Sequence, residues 1–373
     1  MKVIEVSSDT NIGGAGKCLL TLIKDMDRSR FEVVVILPKN SLLAPFVRDA
    51  KVKLIEVDGI ADKSLDLGAI KKLKQIFKSE KPDLVHTHAS MSARIAAKAA
   101  GIPVVYTRHS VFPPSKKISR GIGKKINGAV NNFFADRIIA VAEAAKDNLT
   151  MTGVNSGKID VILNGVYPLK KCADKESIRK RFGVAEDEKV VSIVARIEDI
   201  KGHDYFIDAA DMLLKKGIKA KFIIAGTGSY EEHLKQKVNK MGLNEQILFT
   251  GFITDADKLM NITDISVNAS FGTEATSLAL LEGMSLGIPA VVSDFGGNPG
   301  VIKSGVNGII VPKKNSAALA EALEKLLTDD ELYKEMSKNS QKVFSEKFTA
   351  RAMTENTENL YIEVIETKKH NKK

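Results

Sequence analysis

The chain has 373 residues, 44% hydrophobic and 27% charged, proportions that suit a soluble globular protein with room for two ordinary domains. Cys18 and Cys172 lie too far apart in sequence to suggest a disulfide framework or a metal-ligand spacing. No apolar run reaches membrane-spanning length and Met1-Lys2-Val3 enters a strand rather than a signal peptide, so a reducing cytoplasmic setting is expected. The net charge of +10 sits in the first part of the chain: Met1 to Asn164 holds 26 Lys and Arg against 16 Asp and Glu, and the remainder holds 30 of each.

Residues 2–7 read as a short strand ending in the glycine loop Asp9-Thr-Asn-Ile-Gly-Gly-Ala-Gly, with a helix from about Lys17 to Met26. Strand, glycine loop, helix is a general arrangement for phosphates, which makes Gly13 and Gly14 candidate backbone contacts. It is not a P-loop, because Asn11 stands where the first glycine belongs and Cys18 replaces the magnesium-holding hydroxyl residue. Nor do Gly13, Gly14 and Gly16 have G-x-G-x-x-G spacing. Strands are expected at 31–37, 52–57, 83–87, 103–107, 137–141 and 159–163, with helices around 44–49, 67–79, 91–100 and 118–134 between them. That alternation argues for a parallel sheet with helices on both faces.

The densest basic stretch, residues 111–135, carries Lys116, Lys117, Arg120, Lys124 and Lys125 and no acid. Phe112, Ile118, Ile122, Ile126 and Val130 share it, so it reads either as a solvated surface helix or as a basic amphipathic helix for an anionic membrane surface. Nucleic acid is the weaker partner, since no binding motif and no Trp is present. A polar connector from Tyr167 to Asp187 follows, and the alternation restarts. Strands are expected at 190–195, 220–225, 246–249, 265–268, 289–293 and 308–311. Helices fall near 203–215, 230–241, 257–261, 276–286, 316–327 and 330–345, with one more over 350–367. The predicted fold class is therefore α/β: two Rossmann-like, doubly wound domains, residues 1–164 and 165–350, facing across a cleft.

Within the second alternation lies Asn268-Ala-Ser-Phe-Gly-Thr-Glu-Ala-Thr-Ser-Leu, a small-residue loop leading into a helix expected to start near Thr276 and stop at Gly287-Ile-Pro289. Glu274 and Glu282, spaced E-x7-E, would stand at the two ends of its first two turns, with the open N–H groups of the helix start between them. Such a helix could hold sugar hydroxyls at Glu274, a diphosphate at Thr276, Ser277 and Leu278, and ribose hydroxyls at Glu282. Upstream, Arg196 and Lys201 follow a strand in VARIEDIKGHD, two cations near a helix start. Asp255-Ala-Asp257 superficially matches a metal-binding D-x-D, but it precedes a short helix that it would cap. His86 and His88 form an H-x-H without an evident third ligand.

The E-x7-E element, set between that loop and G-I-P-A-V-V-S-D-F-G-G, resembles the nucleotide-diphosphate-sugar site of family-4 retaining glycosyltransferases of the GT-B fold. The resemblance covers essentially the whole chain. It implies that Arg196 and Lys201 bind the donor diphosphate, that His109 in V-V-Y-T-R-H-S lies beside the transferred sugar, and that Gly251-Phe252 passes the base. It also implies that the C-terminal helix, 351–373, packs back on the first domain. The catalytic set is then His109, Glu274, Arg196 and Lys201, with no metal and no cofactor. The expected substrates are a nucleotide sugar, with UDP the first choice, and a glycan or lipid-linked acceptor. A sugar-nucleotide epimerase and a catalytically silent membrane-surface module are the competing readings.

Overall fold

The computed structural model describes residues 1–61 and 65–370. Contacts divide it into two compact units, Met1–Val166 together with the segment from Ala350, and Tyr167–Thr349.

The first unit contains β1 (Lys2–Ser7), β2 (Glu32–Pro38), β3 (Lys53–Val57), β4 (Leu84–His88), β5 (Val104–Arg108), β6 (Arg137–Ala140) and β7 (Ile159–Val161). They form one parallel sheet in the order β3-β2-β1-β4-β5-β6-β7. β2 is a run of aliphatic residues buried from Val33 onward, the pattern of a strand covered on both faces. One cover brings Leu19, Leu22 and Ile23 together with Met353, Leu360, Tyr361, Val364 and Ile365 of the last helix, Ala350–His370. The other is built from Leu73, Phe77, Ala93, Ala96 and Ala97. The last helix is tied in further by Glu358, whose buried carboxylate accepts from Asp27 N–H at 2.7 Å. Residues 371–373 of the expected C-terminal helix lie outside the described residues.

The second unit contains β8 (Lys189–Val194), β9 (Ala220–Ala225), β10 (Ile247–Gly251), β11 (Ile265–Asn268), β12 (Ala290–Ser293) and β13 (Gly308–Val311). Its parallel order is β10-β9-β8-β11-β12-β13. Chain order reverses direction between β1 and β4 in the first sheet and between β8 and β11 in the second. Doubly wound sheets bind ligands beside such switch points, outside the carboxyl ends of the strands.

In the first unit, three local features differ from expectation. The helix expected over 118–134 is two helices, Lys116–Ser119 and Gly121–Phe133, because Arg120 is extended and Gly121 has φ +57°. The first helix begins at Gly14, three residues early. A helix at Glu143–Met151 was not anticipated; it starts after Ala142, which offers no side-chain cap to betray it.

Candidate active site

In the first unit the register of β1 against β4 sets Glu5 beside His86 and Ser7 beside His88. Glu5 is fully buried, an acid where a central strand should be apolar. Its carboxylate is satisfied from three sides. His88 Nε2 lies 3.0 Å and His86 Nδ1 2.9 Å from Oε2, and the Tyr361 hydroxyl donates to Oε1 at 2.7 Å. Burial pushes the Glu5 carboxyl up, but His86 and His88 outweigh it and hold the group well below the usual carboxylate range. Beyond it, His88 Nδ1 lies 2.8 Å from His109 Nε2, with the two rings stacked at 5.1 Å. Thr107 Oγ1 closes the other side at 2.6 Å from His86 Nε2.

His109 stands one residue past β5, at the carboxyl end of the sheet and one strand beyond the β1–β4 switch point. Burial, then His88 and His86, hold its ring well below the ordinary histidine value; burial and His86 likewise lower His88. His109 Nδ1 is out of solvent contact and has no hydrogen-bond partner among the described residues. Leaving such a group unpaired costs about 1–3 kcal/mol, so it calls for an explanation. The cavity around it is lined by Cys18, His88, Thr107, Val141, Asn164 and Met353, among others. His88 has both nitrogens engaged inside the protein, with Glu5 Oε2 and His109 Nε2. The third partner for His86 and His88 is Glu5: the three bring donor atoms within 4.8 Å of one another, close enough for a metal. Those donor atoms are engaged in the hydrogen-bond network described.

Gly13 is the N-cap of the helix Gly14–Asp25, and no described side chain caps it. A Cβ added at Gly14 would meet nothing within 4 Å. The backbone there is open to an approaching group.

In the second unit, Arg196 follows β8 and is exposed. Its loop is fixed by the turn after β9. A Cβ at Gly226 would come within 2.0 Å of Ala195 O, and one at Gly228 within 2.0 Å of Ile197 O, so only glycine lets the two loops touch. Lys201, in the 3-10 turn Asp199–Lys201 after β8, reaches across to the loop after β11. Its Nζ donates to Glu274 Oε2 at 2.9 Å and to Thr273 O at 3.1 Å, both side chains being nearly buried. Asn268 Nδ2 (3.1 Å) and Ser270 Oγ (3.3 Å) converge on the same carboxylate oxygen. The Glu274 carbonyl accepts from Gly297 N–H at 3.0 Å, and a Cβ at Gly296, which has φ +60°, would lie 2.0 Å from that oxygen.

The helix after this loop runs Leu278–Ser285, with Ser277 as N-cap and its hydroxyl accepting from Leu280 N–H at 3.4 Å. It starts two residues later than expected, because Ser277 rather than Thr276 makes the cap. Glu274 therefore lies in the loop, not on the first turn, and Glu282 alone of the pair is helical. Thr276, Ser277, Leu278 and Glu282 are half-buried at this end of the unit. Gly251, with φ +67°, ends β10 and accepts from Gly226 N–H at 2.9 Å; Phe252 beyond it is exposed. Asp255 occupies an N-cap position but does not cap: its carboxylate pairs with Arg181 instead.

Residues that sequence reasoning passed over are Glu5 and Tyr361 in the first unit and Asn298 in the second. The first two are 356 positions apart. The one available signal was a glutamate inside the apolar strand Lys-Val-Ile-Glu-Val-Ser. Asn298 donates to Ser293 O (3.2 Å) and Ser293 Oγ (3.1 Å) and is 1% exposed.

Residues 174–343 match the family model described as glycosyl transferases group 1, and residues 12–168 match glycosyltransferase family 4. A relative from Escherichia coli, "UDP-Gal:alpha-D-GlcNAc-diphosphoundecaprenol alpha-1,3-galactosyltransferase", is 27% identical over 99% of this chain and 98% of its own. The N-acetyl-alpha-D-glucosaminyl L-malate synthase of Bacillus anthracis is 24% identical over 82% of this chain and 81% of its own. Among solved structures, Anabaena HepE in complex with UDP and glucose superposes with a TM-score of 0.84 at 22% identity, covering 96% of this chain and 99% of that one. At that identity the likeness is one of fold.

Proposed function

The chain belongs to the family-4 glycosyltransferases of the GT-B fold, and on that premise we propose that it transfers a hexose-type sugar from UDP to a glycan or lipid-linked acceptor, retaining configuration and using no metal. The observation that carries this reading is the Lys201–Glu274 pair with exposed Arg196 at the switch point of the second sheet. As the glycosidic bond breaks, charge builds on the departing diphosphate. A guanidinium and an ammonium already in place stabilise that charge without reorganisation, which is the task a divalent cation performs elsewhere. The helix start at Ser277 and Leu278 adds backbone donors, Glu282 takes the ribose hydroxyls, and Glu274 orients Lys201 and the sugar. With no obvious nucleophile for the anomeric carbon among the described residues, we favour attack by the acceptor hydroxyl from the face the diphosphate leaves. The name of the full-length E. coli relative supports UDP as the donor nucleotide and a diphosphate-linked lipid acceptor.

A lipid-linked acceptor also suits the surface of the first unit. On Lys116–Ser119 and Gly121–Phe133, Ile118, Ile122, Ile126 and Phe133 are exposed beside Lys116, Lys117, Lys124 and Lys125. The opposite side of this segment is pressed home by backbone contact, since a Cβ at Gly128 would lie 2.1 Å from Gly153 O. An apolar stripe edged with lysines is suited to an anionic membrane surface. Among the described residues no helix is long and apolar enough to cross a membrane.

Thermal unfolding in EDTA against UDP, GDP, ADP and CMP and their sugars tests the donor. A ligand that binds only the folded state at 100 times its Kd stabilises it by about 2.7 kcal/mol. The expected result is a rise with UDP and a UDP-hexose that Lys201→Ala abolishes. Stabilisation by none of the nucleotides would remove the reading.

A further inference from the structure

We propose that Glu5 and His88 are positioning residues that fix His109 as its Nε2–H tautomer, so that Nδ1 is presented as a hydrogen-bond acceptor to a hydroxyl of the transferred sugar. This deepens the reading above and rests on it in one respect, that His109 lies beside the transferred sugar as the family resemblance implies. The tautomer itself follows from the geometry of the first unit.

An ionised carboxylate only accepts hydrogen bonds. The nitrogen of His88 that lies 3.0 Å from Glu5 Oε2 is Nε2, so Nε2 carries the proton. The second oxygen of Glu5 is taken by the Tyr361 hydroxyl at 2.7 Å, which prevents the carboxylate from turning away. A neutral His88 protonated at Nε2 has a lone pair at Nδ1. That atom sits 2.8 Å from His109 Nε2, and the bond requires His109 to bring the proton. A neutral His109 protonated at Nε2 leaves its lone pair on Nδ1, the buried atom that no described residue satisfies. Burial and the neighbouring rings keep both imidazoles from taking a second proton. An acceptor held in a single orientation needs a donor, and a sugar hydroxyl supplies one.

The chain of polarity runs from Tyr361 on the last helix and Glu5 on β1, through His88 on β4, to His109 after β5. Second-partner control of an imidazole tautomer by a carboxylate is a general device. Here one more imidazole is interposed, so the distant acid sets which nitrogen of His109 is basic.

The test is nitrogen-15 NMR of histidine-labelled full-length protein at neutral pH, followed by addition of UDP and then a UDP-hexose. The expected spectrum shows His109 with Nε2 protonated and Nδ1 bare. The UDP-hexose, but not UDP, should perturb Nδ1. His88→Leu should leave His109 a tautomer mixture and lower kcat at least tenfold with KM for the donor little changed. His88→Asn, whose side-chain oxygen can still accept from His109 Nε2–H, should restore the single tautomer and most of kcat. A wild-type His109 protonated at Nδ1, or an unmixed tautomer in His88→Leu, overturns the relay and needs no substrate to read. A correct tautomer that a bound UDP-hexose leaves unperturbed overturns the sugar contact. Should no sugar nucleotide bind at all, the functional reading fails while the tautomer result still stands on its own.

Discussion

At the carboxyl end of the first sheet, Glu5, His86 and His88 stand on the strands themselves and bond to one another out of reach of water. At the matching end of the second sheet, Arg196, Lys201 and Glu274 stand on loops, and glycines bring the backbones of those loops together. Both clusters sit where the strand order reverses, so the fold supplies the same place twice. What differs is how rigidity is obtained. Strand-borne groups are fixed by register and by saturated hydrogen bonds. Loop-borne groups are fixed by close approach of peptide to peptide, which leaves the cations able to meet an incoming anion. The first arrangement suits holding one neutral ring in one orientation; the second suits receiving charge.

The largest effect expected from this contrast is at Gly296. An alanine there must place its Cβ against the Glu274 carbonyl and adopt a left-handed backbone, at a cost of about 2–4 kcal/mol. Urea unfolding should show that loss, and the stabilisation by UDP should vanish with it. Gly14→Ala in the first unit is the control, since its Cβ meets open space at a helix start and stability should change by less than about 1 kcal/mol. Equal effects at the two glycines would break the comparison.

A second, smaller effect is pH dependence. His88 and His109 in the first unit, and His203 in the second, are held neutral by burial, His203 being pushed down to about 4. Above pH 7 folded and unfolded rings are alike neutral and contribute no slope. As pH falls through the ordinary histidine value, the unfolded chain takes up protons that the fold refuses. Stability then falls by up to about 1.4 kcal/mol per pH unit for each ring. Glu5 is shifted in the same direction, here because the fold favours its charged form: its contribution is present above the ordinary carboxylate range and is lost as pH falls toward its depressed folded value. Unfolding free energies between pH 8 and 5 should fall less steeply for His109→Gln than for the wild type, by close to one proton. Identical slopes would mean that His109 is not held neutral.

The smallest effect belongs to the basic helices. Lys124→Gln with Lys125→Gln should weaken binding to phosphatidylglycerol vesicles by about 1 kcal/mol per lysine while leaving unfolding unchanged. Unaltered co-sedimentation with such vesicles would argue that this face is simply solvated.

Nearly all of the fold was legible because its signals are local: aliphatic runs of strand length, alternating with amphipathic segments that stop at glycine or proline. The failures are local as well. Glu143–Met151 begins on an alanine and buries little beyond Ala145, Asn148 and Leu149, so neither a cap nor a stripe announces it. Glu274 was legible as a chemical group but not as a loop residue, since the choice between Thr276 and Ser277 as cap is decided by one hydrogen bond. The Glu5 network could not be read at all beyond a misplaced acid. Its members are brought together by strand order and by a helix from the far end of the chain, neither of which leaves a spacing in the sequence.

The proposed reaction is metal-free transfer with retained configuration at the cations of the second unit. Proton NMR of the product formed in EDTA from a UDP-α-hexose and the proposed diphosphate-linked lipid acceptor tests it most directly. The expected result is an α-linked product from the first turnovers and a rate that EDTA does not lower. In Lys201→Ala the same product should form about 100- to 1,000-fold more slowly, the scale of losing one preorganised charge-stabilising group. A β-linked product, or activity that requires an added divalent cation, would contradict it.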